Sequence, residues 1–469
     1  MSLLNFLTNK WFSFGWILRN VWAVYFLCAY PGEGGATSYF INSLVGNDEN
    51  IGTSMELPWK SLVNLGRDIF QPGDSILFAK GSSYKGGVIF SCSGTNDNPI
   101  TISHYSTPPD IIMKNPRKDL SPLLKKYGAG RLPAFSNPKW EFLNGNIFRI
   151  EGNCIVIDGL YFHDNANPPG SNKKSKNVQK MGAIYLALGT HHNIVKNCEF
   201  ENTPVAVKVK GTHNLITRNY FHDTYEPMAE SWGPIAIMIV SAHNEISYNH
   251  IANYGSYGGP YGSDGGVIEL DGVDDDFDAH HIHIHHNISV NNHGFIEIAA
   301  RDVDHVRVAY NLSDDRNQFI GGGSMKVEVF NNTIIRTREP NIDRFVFWTF
   351  DPEKTFLNIR NNIFYVASDV QVLGPVKEQI GHMRVAIGNQ KRSRNIYYSP
   401  GNTDPVGIPH QKDDWVIDPL FVDINNRNFR LKKSSPARKR GFSFGYTHDL
   451  DMYPVAIKGK IDLGAYMFE

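Results

Sequence analysis

The stretches HNLITRN (213–219), HNEISYN (243–249), HHIHIHHN (280–287) and DHVRVAYN (304–311) share one pattern: residues alternate in character, and an asparagine closes the run. Alternation with a period of two marks a strand, and asparagine is at home in the turn that must follow. The unit recurs as KNCEF, RNYF, YNHI, HNISV, YNLS, NNTII and NNIF. Asn197, Asn219, Asn249, Asn287, Asn311, Asn332 and Asn362 therefore fall at matching positions, at irregular intervals of roughly 21 to 38 residues. Strands of this kind, turned by asparagine and repeated once per coil, predict an all-β fold: a single-stranded right-handed parallel β-helix. Stacked asparagine side chains can hydrogen-bond along the turn, so the repeat has a structural cause of its own.

Further rungs are visible at NCIVIDGLYF (153–162), FVFWTF (345–350), VQVLGP (370–375) and MRVAIGN (383–389). Irregular spacing means that loops of different length leave the coils, and long loops on one side of a solenoid build its binding face. The longest are HDTYEPMAESWGP (222–234) and NYGSYGGPYGSDGG (253–266).

The 469 residues are 41 % hydrophobic and carry a net charge of -1. Such a chain can bury a large core, and without a basic stripe it is not expected to bind nucleic acid. Residues 1–36 are apolar and aromatic, with Lys10 and Arg19 but no acid before Glu33. They read as an export signal whose short apolar part, about residues 21–29, cannot span a bilayer alone; a membrane anchor is the alternative. The expected location is secreted, periplasmic or cell-surface. Cys92, Cys154 and Cys198 sit in apolar stretches and read as buried small hydrophobes.

Both ends carry a resemblance. TSYFINSLVGNDENIGTSMELPWKSL (37–62), with QPGDSILFAKGSSYKGGVIF and NPITIS behind it, resembles the amino-terminal cap of secreted pectate-lyase-like β-helix carbohydrate-active enzymes. The resemblance implies a cap over 37–105 with a short helix at about Pro58 to Ile69. DPLFVDINNRNFRLKKSSPARKRG through KIDLGAYMFE resembles their closing segment, here 415–469. An open rung exposes unpaired backbone and apolar interior, so both ends need covering. The β-helix catalytic domain is thus expected over 37–469.

The chemistry concentrates in SDGGVIELDGVDDDFD (263–278). Alternation turns Ile268 and Leu270 inward with Ile296 and Ile298 of the next rung, and Glu269, Asp271, Glu297 and Ala299 outward. Two rungs below, the same outward column holds Lys208 and Lys210. Glu269 and Glu297 become vertical neighbours about 4.8 Å apart at the backbone. Three converging carboxylates resist ionising together, which suits a glycosidase needing one protonated acid and one carboxylate. Glu297 is read as general acid and Asp271 as nucleophile or base, with Glu269 tuning both. Asp264, His293 and Arg301 flank the strands as substrate-binding candidates with Lys208 and Lys210, and Trp232 and Tyr257 as sugar-stacking platforms. Glu269 and Asp271 are similar to the acid and base pair of β-helical carrageenan hydrolases. Asp271 with Glu297 is similar to the nucleophile and acid of β-helical xylosidases.

Two other classes stay open. A polysaccharide lyase or polymer epimerase acting on uronic acids would use Lys208, Lys210, His293 or Arg301, with Ca²⁺ held by Asp274, Asp275, Asp276 and Asp278; hydrolysis itself requires no cofactor. A non-catalytic carbohydrate-binding solenoid would show a blander outer face. His281, His283 and His285 could clip a metal from one strand face, but Arg307 on the next rung opposes it, and a stack of polar strand residues is the plainer reading.

Overall fold

Three columns of short parallel strands wind residues Ala36–Glu469 into one compact unit in this computed structural model. It describes residues 35–468 apart from 107–131, 169–176, 227, 229–231, 257–263, 272–278, 340–345, 374–378, 381–382 and 385. The first column runs through Phe148–Ile150, Ile184–Leu186, Val205–Val209, Ile235–Ile239, Gly266–Leu270 and the start of Ile296–Ala309. The second runs through Ile155–Asp158, Ile194–Lys196, Leu215–Thr217, Glu245–Ser247 and His283–His285 to the far end of Ile296–Ala309. Tyr161–His163, Glu199–Glu201, Tyr220–Thr224, His250–Tyr254 and Ile288–Val290 form the third. Each strand pairs in parallel with its counterpart one coil on, the parallel β-helix that the repeats predict.

Inside, like stacks on like. Ile184, Val207, Ile237, Ile268 and Ile296 share one register line and one core. Phe162, Phe200 and Phe221 stack with ring centroids 5.1 and 4.7 Å apart. Alternate side chains of every strand project into the coil, so a β-branched or aromatic residue every second position fills it without voids.

The asparagine turn forms a continuous ladder. The Asn219 amide donates to Asn249 at 3.0 Å, and the same bond repeats through Asn287, Asn311, Asn332, Asn362 and Asn395 to Asp414. Asn197 is not a member. The ladder residue always follows one in the left-handed region, as at Arg218, Tyr248, His286 and Tyr310, and Asn197 occupies that preceding slot with φ 54°. Cys198 takes the ladder position, its backbone N–H donating to Asn219 Oδ1 at 3.0 Å. At the neighbouring turn His192, His213, His243, His281 and His305 stack with centroids 5.3, 4.7, 4.9 and 4.6 Å apart. His281 is thus a turn residue, and only His283 and His285 of the histidine run share a strand face.

The amino-terminal end departs from expectation. No helix spans Pro58 to Ile69; the segment holds one 3-10 turn, Val63–Gly66. Asp48 accepts the backbone N–H groups of Lys60 and Ser61 at 2.9 and 2.8 Å, which pins these residues to the preceding loop. The core is instead closed by rings, Trp59 stacking on Tyr39 at 5.2 Å with Phe70 edge-on to both. The carboxy-terminal segment covers a flank, where Leu463, Ala465 and Tyr466 pack on Leu312, Ile335, Ile363 and Ile396. Cys92, Cys154 and Cys198 are free thiols. No helix among the described residues is long and apolar enough to cross a membrane.

Candidate active site

The outward face of the first column reads Tyr185, Lys208, Met238, Glu269, Glu297, Gly321 and Trp348 from coil to coil. The expected alignment of Glu269 with Glu297, and of both with Lys208, is therefore present. Outward does not mean exposed here. Strands Val205–Val209, Ile235–Ile239 and Gly266–Leu270 are buried on both faces. A second apolar cluster of Val178, Met181, Val205, Met228, Ile235 and Met238 lies over this face, with Trp140 and Trp232 packed against it. Met228 and Trp232, from the loop before Ile235–Ile239, belong to this cluster, and Met238 within it is the register neighbour of Glu269.

Glu269 is 5 % exposed and Asp271 is fully enclosed. Burial pushes the Glu269 carboxyl well above the ordinary carboxylate range; the charges of Asp271, Glu297 and Asp264 push the same way, and Lys208 pulls back. A buried carboxyl beside other negative groups keeps its proton because neither water nor a full counter-charge stabilises the ionised form. The enclosed Lys208 is the local cation: its ammonium donates to Gln179 Oε1 at 2.6 Å and touches the Met238 sulfur. Gln179 in turn donates to Asp271 Oδ2. One amide therefore links the lysine to the aspartate. Nothing in the sequence singles out Gln179, which reaches the site from a loop 92 residues before Asp271.

Glu269 and Glu297 together line a tight niche with Gly265, Gly266, Gly294 and Gln318. Its backbone wall has to be glycine: a Cβ on Gly265, whose φ is +85°, would lie 2.3 Å from the Pro234 carbonyl, and one on Gly266 2.6 Å from that of Gly294. Gln318, also unforeseen, is 2 % exposed, and its Oε1 has no hydrogen-bond partner among the described residues. A buried acceptor left open beside two carboxyl groups is a place for a donor, either the acid proton or a hydroxyl.

The other candidates divide. Asp264 caps the loops that meet here, accepting the backbone N–H of Gly265 at 2.8 Å and of Gly233 at 3.2 Å, and burial raises its carboxyl. Lys210 is half-buried in line with Val240 and Asp271, since successive backbone N–H groups bond the coil before. His293 is neutral, lowered to about 4 by burial, and Asn317 meets its Nδ1 at 2.8 Å; none of the three carboxylates contributes to that shift. Tyr257, the Arg301 side chain and the acidic run Asp274, Asp275, Asp276 and Asp278 lie outside the described residues.

No family model matches the chain. A stretch of 74 residues is 42 % identical to a lacto-N-biosidase of Bifidobacterium longum subsp. longum, spanning 15 % of this chain and 5 % of that enzyme's length. Among solved structures, XylC in complex with xylose superposes with a TM-score of 0.53 at 10 % identity, over 92 % of this chain and 98 % of XylC. It shares the fold along nearly the whole of both chains. The pectate lyase Pel9A reaches a TM-score of 0.49 at 12 % identity, over 93 % of this chain and 98 % of that one.

Proposed function

We propose that this protein is a carbohydrate-active enzyme that hydrolyses glycosidic bonds in a poly- or oligosaccharide. One observation carries the reading: Glu269 is buried with Asp271 just past the end of its strand and pairs in register with Glu297 on the next coil, so that burial and the neighbouring charges raise its carboxyl well above the ordinary range. Glycoside hydrolysis needs such a pair, one carboxylic acid to protonate the departing oxygen and one carboxylate to attack carbon or activate water. Sequence alone assigns the acid to Glu297. The order of burial supports moving it to Glu269, with half-buried Glu297 as nucleophile or base and the charge of Asp271 helping to hold the proton on its neighbour.

The comparisons support the coarser reading, a carbohydrate-active enzyme. The relative that shares the 74-residue stretch is named for glycosidase activity, and the structure that shares the fold holds a sugar. For elimination, Lys208 would be the strand-borne base, but it is enclosed and engaged with Gln179 and serves better as counter-charge to the carboxylates.

The test is to incubate the protein with neutral, uronic-acid and sulfated glycans, reading reducing ends and the ultraviolet absorbance of unsaturated uronates in the same samples. New reducing ends without that absorbance are expected. Absorbance rising in step with them would replace hydrolysis by elimination. A hydrolase unaffected by both Glu269→Gln and Glu297→Gln would move the site elsewhere.

A further inference from the structure

A second cluster of polar side chains lies on the second column, apart from the carboxylate recess. We infer that Glu245, His283 and His285 bind one divalent transition-metal ion of the zinc and cobalt type. Glu245 and His283 are register partners on adjacent coils, and His285 follows on the same strand face. One ligand atom from each lies within 4.8 Å of the others. Two imidazoles and a carboxylate on rigid strands form a donor set that such ions accept.

The hydrogen bonds behind the histidines set their tautomers. His286 Nε2 lies 3.0 Å from the His448 carbonyl oxygen, so it carries the hydrogen and leaves Nδ1 of the neutral ring as an acceptor. His285 Nδ1 is 2.7 Å from that acceptor and must donate to it. The other nitrogen of neutral His285, Nε2, then presents a lone pair. It faces Glu245 Oε1 at 3.1 Å, an acceptor that already receives the Ser247 hydroxyl at 3.1 Å. Two lone pairs so close call for a cation. His283 Nε2 meets the Tyr446 hydroxyl, and with that hydroxyl accepting the Nε2–H, Nδ1 is the nitrogen that offers a lone pair. Metal-binding histidines are oriented by outer contacts of this kind.

The cation could be a proton, but a proton serves only the Glu245 and His285 pair. A metal also employs His283, whose ring centroid is 4.1 Å from that of His285. Arg307, register partner of His283, is the local obstacle, and its guanidinium is already paired with Glu328 at 3.1 Å. His283, Arg307 and Glu328 border an open groove of ≈ 550 Å³, which gives a remaining coordination position access to water or an anionic ligand. Through Tyr446 and His448, the ion would also fasten the carboxy-terminal segment to the coil.

The experiment uses the full chain without an affinity tag, stripped with chelator, loaded with Co²⁺ and passed over a desalting column. Retained cobalt is measured by mass spectrometry and its coordination by visible d–d absorption, with circular dichroism as a check on folding. One Co²⁺ per chain is expected, with at least about tenfold weaker binding in Glu245→Gln and in His283→Gln. His281→Ala, in the separate cluster of His243, His280 and His281, should retain the ion. Failure of the wild-type chain to retain cobalt would mean that a proton fills the gap and would overturn the proposal. Retention by folded Glu245→Gln with loss in His281→Ala would overturn it equally.

Discussion

Replacing Glu269 by glutamine should stabilise the protein while removing its activity, and the stabilisation should grow with pH. In the unfolded chain this carboxyl titrates near ~4.3. In the fold, burial and the charges of Asp271, Glu297 and Asp264 raise it well above that, against the pull of Lys208. Between these two points the native protein holds a proton that the unfolded chain has released. Acid therefore favours the native state, and stability falls by about 1.4 kcal/mol for each pH unit of increase until native Glu269 itself ionises. Glutamine has nearly the same shape, is neutral at every pH and lacks this slope. The stability of Glu269→Gln relative to the parent should thus rise with pH once the unfolded carboxyl has ionised, by up to about 1.4 kcal/mol per pH unit, until the native carboxyl ionises as well. Urea unfolding of both proteins at pH 5, 6 and 7 reads the difference directly. Hydrolysis should meanwhile fall by ~10²- to 10⁴-fold, the usual contribution of a general acid. A pH-independent difference in stability would refute a protonated Glu269, whatever happened to activity.

Lys208→Met removes the enclosed cation and strands Gln179 and the carboxylates; it should cost about 3–5 kcal/mol by thermal or urea unfolding, and a cost under about 1 kcal/mol would deny Lys208 its charge-balancing part. Asn287→Ala breaks the ladder in mid-course, leaving the backbone N–H of Asn249 and one of its two amide hydrogens without an acceptor, the other keeping the Ile216 carbonyl. At about 1–3 kcal/mol per stranded buried group, denaturation should show a loss of several kcal/mol. Gly294→Ala places a Cβ 2.6 Å from the Gln318 amide, so the amide must shift within the recess. Activity should drop by at least about tenfold with a stability change near 1 kcal/mol, an effect of geometry and not of unfolding; unchanged kcat/KM would remove Gln318 and its recess from the reaction.

The alternation in VIEL, residues 267–270, and FIEI, residues 295–298, was enough to place Glu269 beside Glu297, because in a strand the side-chain period is two and parallel stacking preserves it. The same reasoning slipped by one residue at Asn197, where the motif letter matched but the left-handed turn residue and the ladder residue exchange places. The resemblance at the amino terminus implied a capping helix at Pro58 to Ile69, a segment in which Asp48 engages the backbone N–H groups of Lys60 and Ser61. Gln179 could not be found, since it carries no pattern and arrives from a loop 92 residues before Asp271, whereas Gln318 lies on the coil directly after Gly294 and was missed because no motif marks it.

The sequence by itself determined the coil: strand period, turn residues and the register that lines up Lys208, Met238, Glu269 and Glu297 are local properties repeated along the chain. Only the tertiary structure decided what that column of side chains is worth. Glu269 is buried although it faces outward, and burial among other acids raises its carboxyl well above the range that a solvated one would keep.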